Sequence, residues 1–230
     1  MRMAIVEDEP IVRSMLWIIC AAQLGHEVAG EAESGRQAVD VVLAQRPDLV
    51  LLDLALPDIT GLEVVERVRR ERPEQRWLVI TAHVNDVTIY RAEQAGVRGF
   101  LWKCDARPER LREAIDAVGA GRTWYCPVSR AVRDARLADP GAFSKILSPR
   151  EQWMLALIGR GLSDAEIAAE HGLSPATAQK HRSNLLRKLG VAGSAKLTAY
   201  AIEHGFARFG PVRPGPWLGP TAAPSSRRFG

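Results

Sequence analysis

DLVLLDLALPDITG, residues 48–61, is an almost unbroken aliphatic run that stops at Asp53 and reaches Gly61 through a loop containing Pro57. A run that is apolar at nearly every position suits a strand buried on both faces, as in a parallel sheet covered by helices. Working outward, MAIVE (3–7), HEVAGEA (26–32), WLVITA (77–82) and GFLWK (99–103) read as four more strands. Helical spacing fills the intervals, at 10–24, 35–44, 61–70 and 84–95, and again at 108–118, where Pro108 opens the helix. Strands alternating with helices predict βαβ units, and hence an α/β fold with a doubly wound, five-stranded parallel sheet.

Beyond residue 120 the pattern weakens. Residues 121–146 read as a linker, with short helical content around 129–137 and a turn at ADPGAF (138–143). From 147 the chain becomes all-helical. LSPREQWMLALIGRG (147–161) offers Ser148 as N-cap, Pro149 at the first helical position and Glu151 three residues after the cap. SDAEIAAEHG (163–172) opens on a second capping box, and SPATAQKHRSNLLRKLG (174–190) repeats the start with Ser174 and Pro175. A fourth, shorter helix is expected over 194–203. The expected division is therefore 1–120, 121–146, 147–207 and a Pro-, Gly- and Ser-rich tail, 208–230, that is expected to be disordered.

A hydrophobic fraction of 47% and a charged fraction of 25% are those of an ordinary globular protein. No apolar stretch approaches the roughly 18 residues of a membrane span, and MRMAIVEDEP lacks the cationic start of a secretory signal. Cys20, Cys104 and Cys126 form no CxxC and no zinc spacing, so reduced thiols of a cytoplasmic protein are expected. The net charge of +4 is unevenly spread: residues 1–120 carry 15 basic and 20 acidic groups, and residues 148–230 carry 11 and 5. An acidic front and a basic back fit different partners, with nucleic acid a candidate for the second.

Ligands of parallel α/β sheets bind at the carboxyl ends of the strands. That rule gathers Glu7 and Asp8, Asp53, Thr81 and Lys103 into one crevice. Three carboxylates so close repel each other unless a cation resolves them, and Mg²⁺ takes oxygen ligands of this kind. One carboxylate can then act as a nucleophile toward phosphorus. Phosphoryl transfer needs an in-line nucleophile, a metal and a cation on the equatorial oxygens. Asp53 supplies the nucleophile, Glu7 and Asp8 hold the metal, Lys103 is the cation, and Thr81 can bond the new phosphoryl group. Singly, each residue has a plainer role open to it: solvated strand-end acids, a helix N-cap at Asp53, a buried hydroxyl at Thr81. Glu9 is expected to be solvated or to cap the next helix, and Asp58 to support the loop before Gly61.

VEDEP, LLDLALPDITG (51–61), ITAH (80–83) and GFLWK resemble the receiver domain of two-component response regulators, a flavodoxin-like fold. The resemblance implies that Asp53 accepts a phosphoryl group from a sensor histidine kinase. It implies Mg²⁺ on Glu7, Asp8 and Asp53 with the backbone carbonyl of Ala55, and a switch in which the Thr81 hydroxyl moves toward the phosphoryl group while the Phe100 ring turns inward. Glu7 stands where the family commonly has aspartate, which is expected to favour a water-mediated metal contact. Cys104 follows Lys103 in place of the usual proline or acid.

In the second half, two capped helices joined by GLS (172–174) fit a helix-turn-helix whose second helix enters the major groove. On that helix Ala178, Leu185, Leu186 and Leu189 share an apolar stripe, and Gln179, Lys180, His181, Arg182, Ser183, Asn184, Arg187 and Lys188 cover the rest. Cations for phosphates and amides for base edges are both present. Leu147 to about Gly205 resembles the LuxR/NarL-type helix-turn-helix, and receiver plus this module is the NarL/FixJ arrangement. The resemblance places Gln179, Lys180 and Ser183 at bases or nearby phosphates, His181, Arg182 and Asn184 beside them, Thr177 at the backbone, and the last helix at a dimer contact. Many members carry Val-Lys where this chain has Ala178-Gln179, so an adenine contact by Gln179 is expected to alter base preference.

The expected function is a phosphorylation-dependent transcription regulator and not an enzyme. A phosphatase using the same acids would need a further general acid, and no motif supplies one. The expected partners are the kinase and double-stranded promoter DNA, with a homodimer formed on phosphorylation or on DNA; RNA polymerase is a further partner this role allows. A regulator that works through receiver contacts without phosphorylation is the alternative.

Overall fold

A computed structural model describes residues Met1–Ala207; the expected disorder of 208–230 lies outside the described residues. The chain divides into two compact units, Met1–Lys145 and Ile146–Ile202 in their main spans.

In the first unit, β1 (Arg2–Val6), β2 (Glu27–Ala32), β3 (Leu49–Leu52), β4 (Arg76–Thr81), β5 (Gly99–Trp102) and β6 (Trp124–Tyr125) form one sheet in the order β2-β1-β3-β4-β5-β6, every pairing parallel. Leu51 pairs with Ile5 on one side and Leu78 on the other. All four side chains of β3 are fully buried, which is why the sequence shows no alternation there. The helices are α1 (Pro10–Trp17), α2 (Gly35–Gln45), α3 (Gly61–Arg69), α4 (Asp86–Gln94) and α5 (Pro108–Gly119). Ser34, Thr60 and Asn85 cap α2, α3 and α4 through side-chain oxygens on backbone N–H groups, each such cap contributing about 1 kcal/mol. Leu111, Ala114, Ile115 and Val118 on α5 pack with Leu16, Ile19 and Cys20 against β1, β3 and β4.

Three features differ from the sequence expectation and a fourth extends it. The sheet has six strands and not five, because the two-residue β6 is too short to show a period. Residues 121–145, expected as linker, belong to the first unit: β6 pairs with β5, and α6 (Pro127–Ala138) packs on α4. The expected helix over 10–24 ends at Trp17 and continues as a π-helical turn, Ile18–Gln23. Asp58, expected to support the loop before Gly61, accepts from the Ile59 N–H within that loop and also caps α2, accepting from the N–H groups of Gly35 (2.7 Å) and Arg36 (3.0 Å). Burial pushes this carboxyl up, but the backbone donors of Arg36, Ile59 and Gly35 outweigh it and hold it below the usual range.

A short α7 (Phe143–Ile146) leads into the second unit, α8 (Pro149–Gly159), α9 (Asp164–His171), α10 (Pro175–Leu189) and α11 (Ser194–Glu203). Both expected capping boxes form, Ser148 with Glu151 and Ser163 with Glu166. Gly172 ends α9 in the left-handed conformation at φ 65°, where a side chain would be strained, and so permits the turn into α10. Among the described residues no helix is long and apolar enough to cross a membrane.

Candidate functional site

The chain reverses direction of growth in the sheet at the boundary between β1 and β3, and a crevice opens there at the strands' carboxyl ends. Glu7 and Asp8 follow β1, Asp53 follows β3, Thr81 ends β4 and Lys103 follows β5. Glu7 and Asp53 are buried, at 1% and 4% exposure, and Asp8 is half-buried. Ligand oxygens from all three acids lie within 4.8 Å of one another. Lys103 Nζ sits 2.8 Å from Glu7 Oε1 and 2.8 Å from Asp53 Oδ2, with Glu9 at 4.0 Å on the exposed side. Glu9 occupies the N-cap position of α1 without making a side-chain cap bond.

Electrostatics follow from this crowding. Burial pushes the Glu7 carboxyl up; the bond from Lys103 offsets part of that, and the charge of Asp53 adds to it. Burial alone would lower the Lys103 ammonium, but its bonds to Asp53 and Glu7 more than compensate and hold it above its ordinary value. Glu7 Oε2 is buried without a hydrogen-bond partner. An orphaned carboxylate oxygen beside two further acids is an all-oxygen, hard donor set, and Mg²⁺ fits such a set.

Local structure holds the acids in place. Arg13 Nη1 donates to the Glu7 carbonyl at 2.7 Å, and the Arg13 guanidinium also faces Glu31 and Glu33 at 3.7 Å each. The Ala55 N–H donates to Asp53 Oδ1 at 3.2 Å. A Cβ on Gly61 would lie 2.3 Å from the Asp53 carbonyl oxygen, so only glycine lets α3 start this close to the acid's own backbone. Thr81 Oγ1 accepts from the His83 N–H at 3.2 Å. Phe100 is already buried in this structure, its ring parallel to Tyr125 with centroids 6.2 Å apart. Arg13 and Tyr125 were not among the residues singled out by sequence. One lies mid-helix and the other in a stretch without periodicity, so neither carried a local signal.

In the second unit α10 buries Ala178 and Leu185 and half-buries Leu186 and Leu189, the expected apolar stripe. Gln179, Lys180, Ser183 and Arg187 are exposed, while Thr177, His181 and Asn184 are half-buried. The Thr177 hydroxyl bonds the Ser174 hydroxyl at 2.8 Å. Burial lowers the His181 imidazole below its ordinary value, with the charge of Arg150 adding to this. Two of the expected DNA contacts are otherwise engaged. Arg182 turns back on α9, its Nε 2.7 Å from Asp164 Oδ1 and its Nη2 3.1 Å from the Leu162 carbonyl. Lys188 reaches α8, 2.8 Å from Glu151 Oε2 and 3.2 Å from the Ile146 carbonyl. These bonds tie α10 to its own unit, so in this conformation the half-buried Arg182 and the still exposed Lys188 brace α10.

A receiver-type crevice on a parallel α/β unit, followed by a capped helix-turn-helix, defines a DNA-binding response regulator. Residues 3–116 match the family model "Response regulator receiver domain" and residues 145–201 match "Bacterial regulatory proteins, luxR family". The chain belongs to the two-component response regulators with a LuxR-type DNA-binding domain, a family of transcription regulators. It is 29% identical over 199 residues to the response regulator protein VraR of Staphylococcus aureus, covering 86% of this chain and 95% of that protein. The receiver domain of the response regulator NarL from Mycobacterium tuberculosis is 31% identical, with a TM-score of 0.50 over 53% of this chain and 97% of that one. The RcsB response regulator of Salmonella typhimurium, 22% identical, shares the fold with a TM-score of 0.61 over 88% of this chain and 99% of that one.

Proposed function

We propose that this regulator is switched by phosphorylation of Asp53. The observation that carries the proposal is the cluster itself: Lys103 bridges Glu7 and Asp53 at 2.8 Å each, with Asp8 within the same 4.8 Å group. An Asp53 oxygen attacks the phosphorus of a phosphohistidine on a sensor kinase, a P–O bond forms, the P–N bond breaks, and the imidazole leaves. Lys103, already on the Asp53 carboxylate, stays beside the negative charge that develops on the transferred group. The Ala55 N–H orients the carboxylate before transfer. Bound at Glu7, Asp8, Asp53 and the Ala55 carbonyl, Mg²⁺ would neutralise the acids and the incoming phosphoryl oxygens.

Transfer replaces one carboxylate charge by a group of nearly two negative charges with strong acceptor oxygens. The Thr81 hydroxyl gives up its bond from the His83 N–H and donates to the phosphoryl group, and the wall that holds Phe100 changes shape. The consequence is homodimerisation and occupancy of promoter DNA in the cytoplasm, with RNA polymerase as the machinery acted upon. RcsB, similar in fold, is seen as dimers on DNA, and the same assembly is proposed here. Gln179, Lys180, Ser183 and Arg187 supply the DNA contacts, with Thr177, His181 and Asn184 at the edge of that face.

Labelling with a small phosphodonor such as phosphoramidate and Mg²⁺ tests the assignment. The wild-type chain should take up one phosphoryl group and Asp53→Asn none. Undiminished uptake by Asp53→Asn removes Asp53 as acceptor, and no uptake by either favours a regulator that acts through receiver contacts alone.

A further inference from the structure

Helix α6 lies in the segment that sequence patterning leaves without a role, yet its ion pairs to the rest of the first unit converge on one carboxylate. Glu93 of α4 accepts from the Tyr125 hydroxyl at 2.9 Å and from Arg133 Nε at 2.8 Å on Oε1, and from Arg136 Nη2 on Oε2. The Arg136 side chain is only 4% exposed and its guanidinium lies over the Tyr90 ring, 5.1 Å from the centroid. Arg133 lies over the Tyr125 ring at 5.2 Å. Two guanidiniums and a phenol share one acid, so the attachment of α6 depends on that acid: remove it, and a buried Arg136 is left without its counter-charge. Arg136 Nε is itself buried without a hydrogen-bond partner. The attachment is strong but incompletely satisfied, which suits a contact that must let go.

The same cluster touches Phe100, the ring that the proposed function couples to Asp53. Tyr125 stacks on Phe100, and the Cys126 N–H donates to the Phe100 carbonyl at 3.0 Å. Phe100 pairs with Val79 on β4, the strand that ends at Thr81. Helix α6 begins at Pro127, two residues after the stacked ring. A displacement of the Phe100 ring therefore reaches Tyr125 directly, and Tyr125 is one of the three donors on Glu93.

We propose that Glu93, Tyr125, Arg133 and Arg136 form a latch that holds α6 against the receiver, and that the phosphorylation state of Asp53 works this latch through the Phe100–Tyr125 stack. The second half of the proposal rests on Asp53 being the phosphoryl acceptor; the first half does not. The latch makes α6 a movable strap: closed, it covers the α4 and β5 face of the receiver; open, it bares that face and lengthens the tether that follows it.

Hydrogen exchange of the full chain, followed by mass spectrometry over residues 127–138, tests both halves. Glu93→Gln should speed exchange across α6 by about tenfold or more, as loss of charge-assisted bonds predicts, and leave β1 and β3 unchanged. Tyr125→Phe, which keeps the ring stack and loses one bond, should give a smaller increase and serves if Glu93→Gln does not fold. In the wild type, Mg²⁺ with beryllofluoride, a phosphoryl mimic, should raise α6 exchange toward the Glu93→Gln level and add little in that variant. Unchanged α6 protection in both variants overturns the latch. Protection of the loop at residues 53–60 by beryllofluoride without any change in α6 overturns the coupling alone. Absence of beryllofluoride binding defeats the phosphoacceptor role and the coupling together, while the variants still decide the latch.

Discussion

Lys103 Nζ stands 2.8 Å from Asp53 Oδ2, fifty residues away in sequence, and at the same distance from Glu7 Oε1. The ammonium is the internal counter-ion of two buried acids, and its removal leaves like charges side by side in a low-dielectric crevice. Lys103→Met should therefore destabilise the chain by about 3 kcal/mol or more, the usual cost of breaking a buried pair from one side. Millimolar Mg²⁺ should recover more of that loss in the variant than it adds to the wild type. Urea unfolding with and without the metal checks this; equal midpoints for the two chains would refute the counter-ion role.

Gly61 decides how closely α3 can start beside Asp53. A methyl group there would meet the Asp53 carbonyl at 2.3 Å and the Leu54 Cα at 2.9 Å, both backbone atoms that cannot swing away. Gly61→Ala should cost about 1–3 kcal/mol through forced backbone shifts. It should also slow phosphoryl uptake, since the Asp53 carboxylate moves with that loop. Normal uptake in a destabilised chain would separate the two effects and refute the second.

Arg182 and Lys180 are neighbours on α10 with opposite expected behaviour. Arg182 is bonded to Asp164 and to the Leu162 carbonyl, so Arg182→Ala should lower the stability of the second unit by about 1–3 kcal/mol, the cost of unsatisfied partly buried groups. Lys180 is exposed, so Lys180→Ala should leave stability alone, weaken DNA binding, and reduce the salt slope of binding by about one. Melting curves and binding titrations over a range of salt distinguish them. A Lys180→Ala chain that binds DNA with unchanged salt dependence would take that residue out of the interface.

Glu151 links acid to the integrity of the second unit. Burial pushes its carboxyl up, but the Lys188 ammonium and the Ser148 donors outweigh this and hold it below its ordinary 4.5. A depressed folded value means that its stabilisation is fully present above about pH 4.5 and is lost as pH falls through the lower folded value. Protection of the α8 amides, corrected for the intrinsic exchange rate at each pH, should fall below pH 4.5 in the wild type and fall less in Glu151→Gln. Identical acid profiles for the two chains would contradict the linkage.

Much of this is legible in the sequence. The uninterrupted aliphatic run at β3, the capping boxes at Ser148 and Ser163, and the acids or hydroxyls at strand ends are short-range signals, and each corresponds to an observed element. The sixth strand was not legible, because two residues have no period. The engagement of Arg182 and Lys188 was not legible either. On a helical wheel Lys188 lies off the apolar stripe and Arg182, four residues after Ala178, falls within it, but only the packing of α9 and α8 against α10 supplies their carboxylates.

The amino-acid sequence by itself determined the longer strands and helices and the membership of the acidic crevice, because hydrophobic period, caps and strand-end chemistry are written locally. Only the tertiary structure decided which charges answer one another. Lys103, after β5, meets Asp53 after β3 and Glu7 after β1, and Glu93 meets Arg133 and Arg136 across a segment of weak pattern. Pairings of that kind depend on which surfaces the sheet order brings together, and charge placement along a chain carries no record of that order.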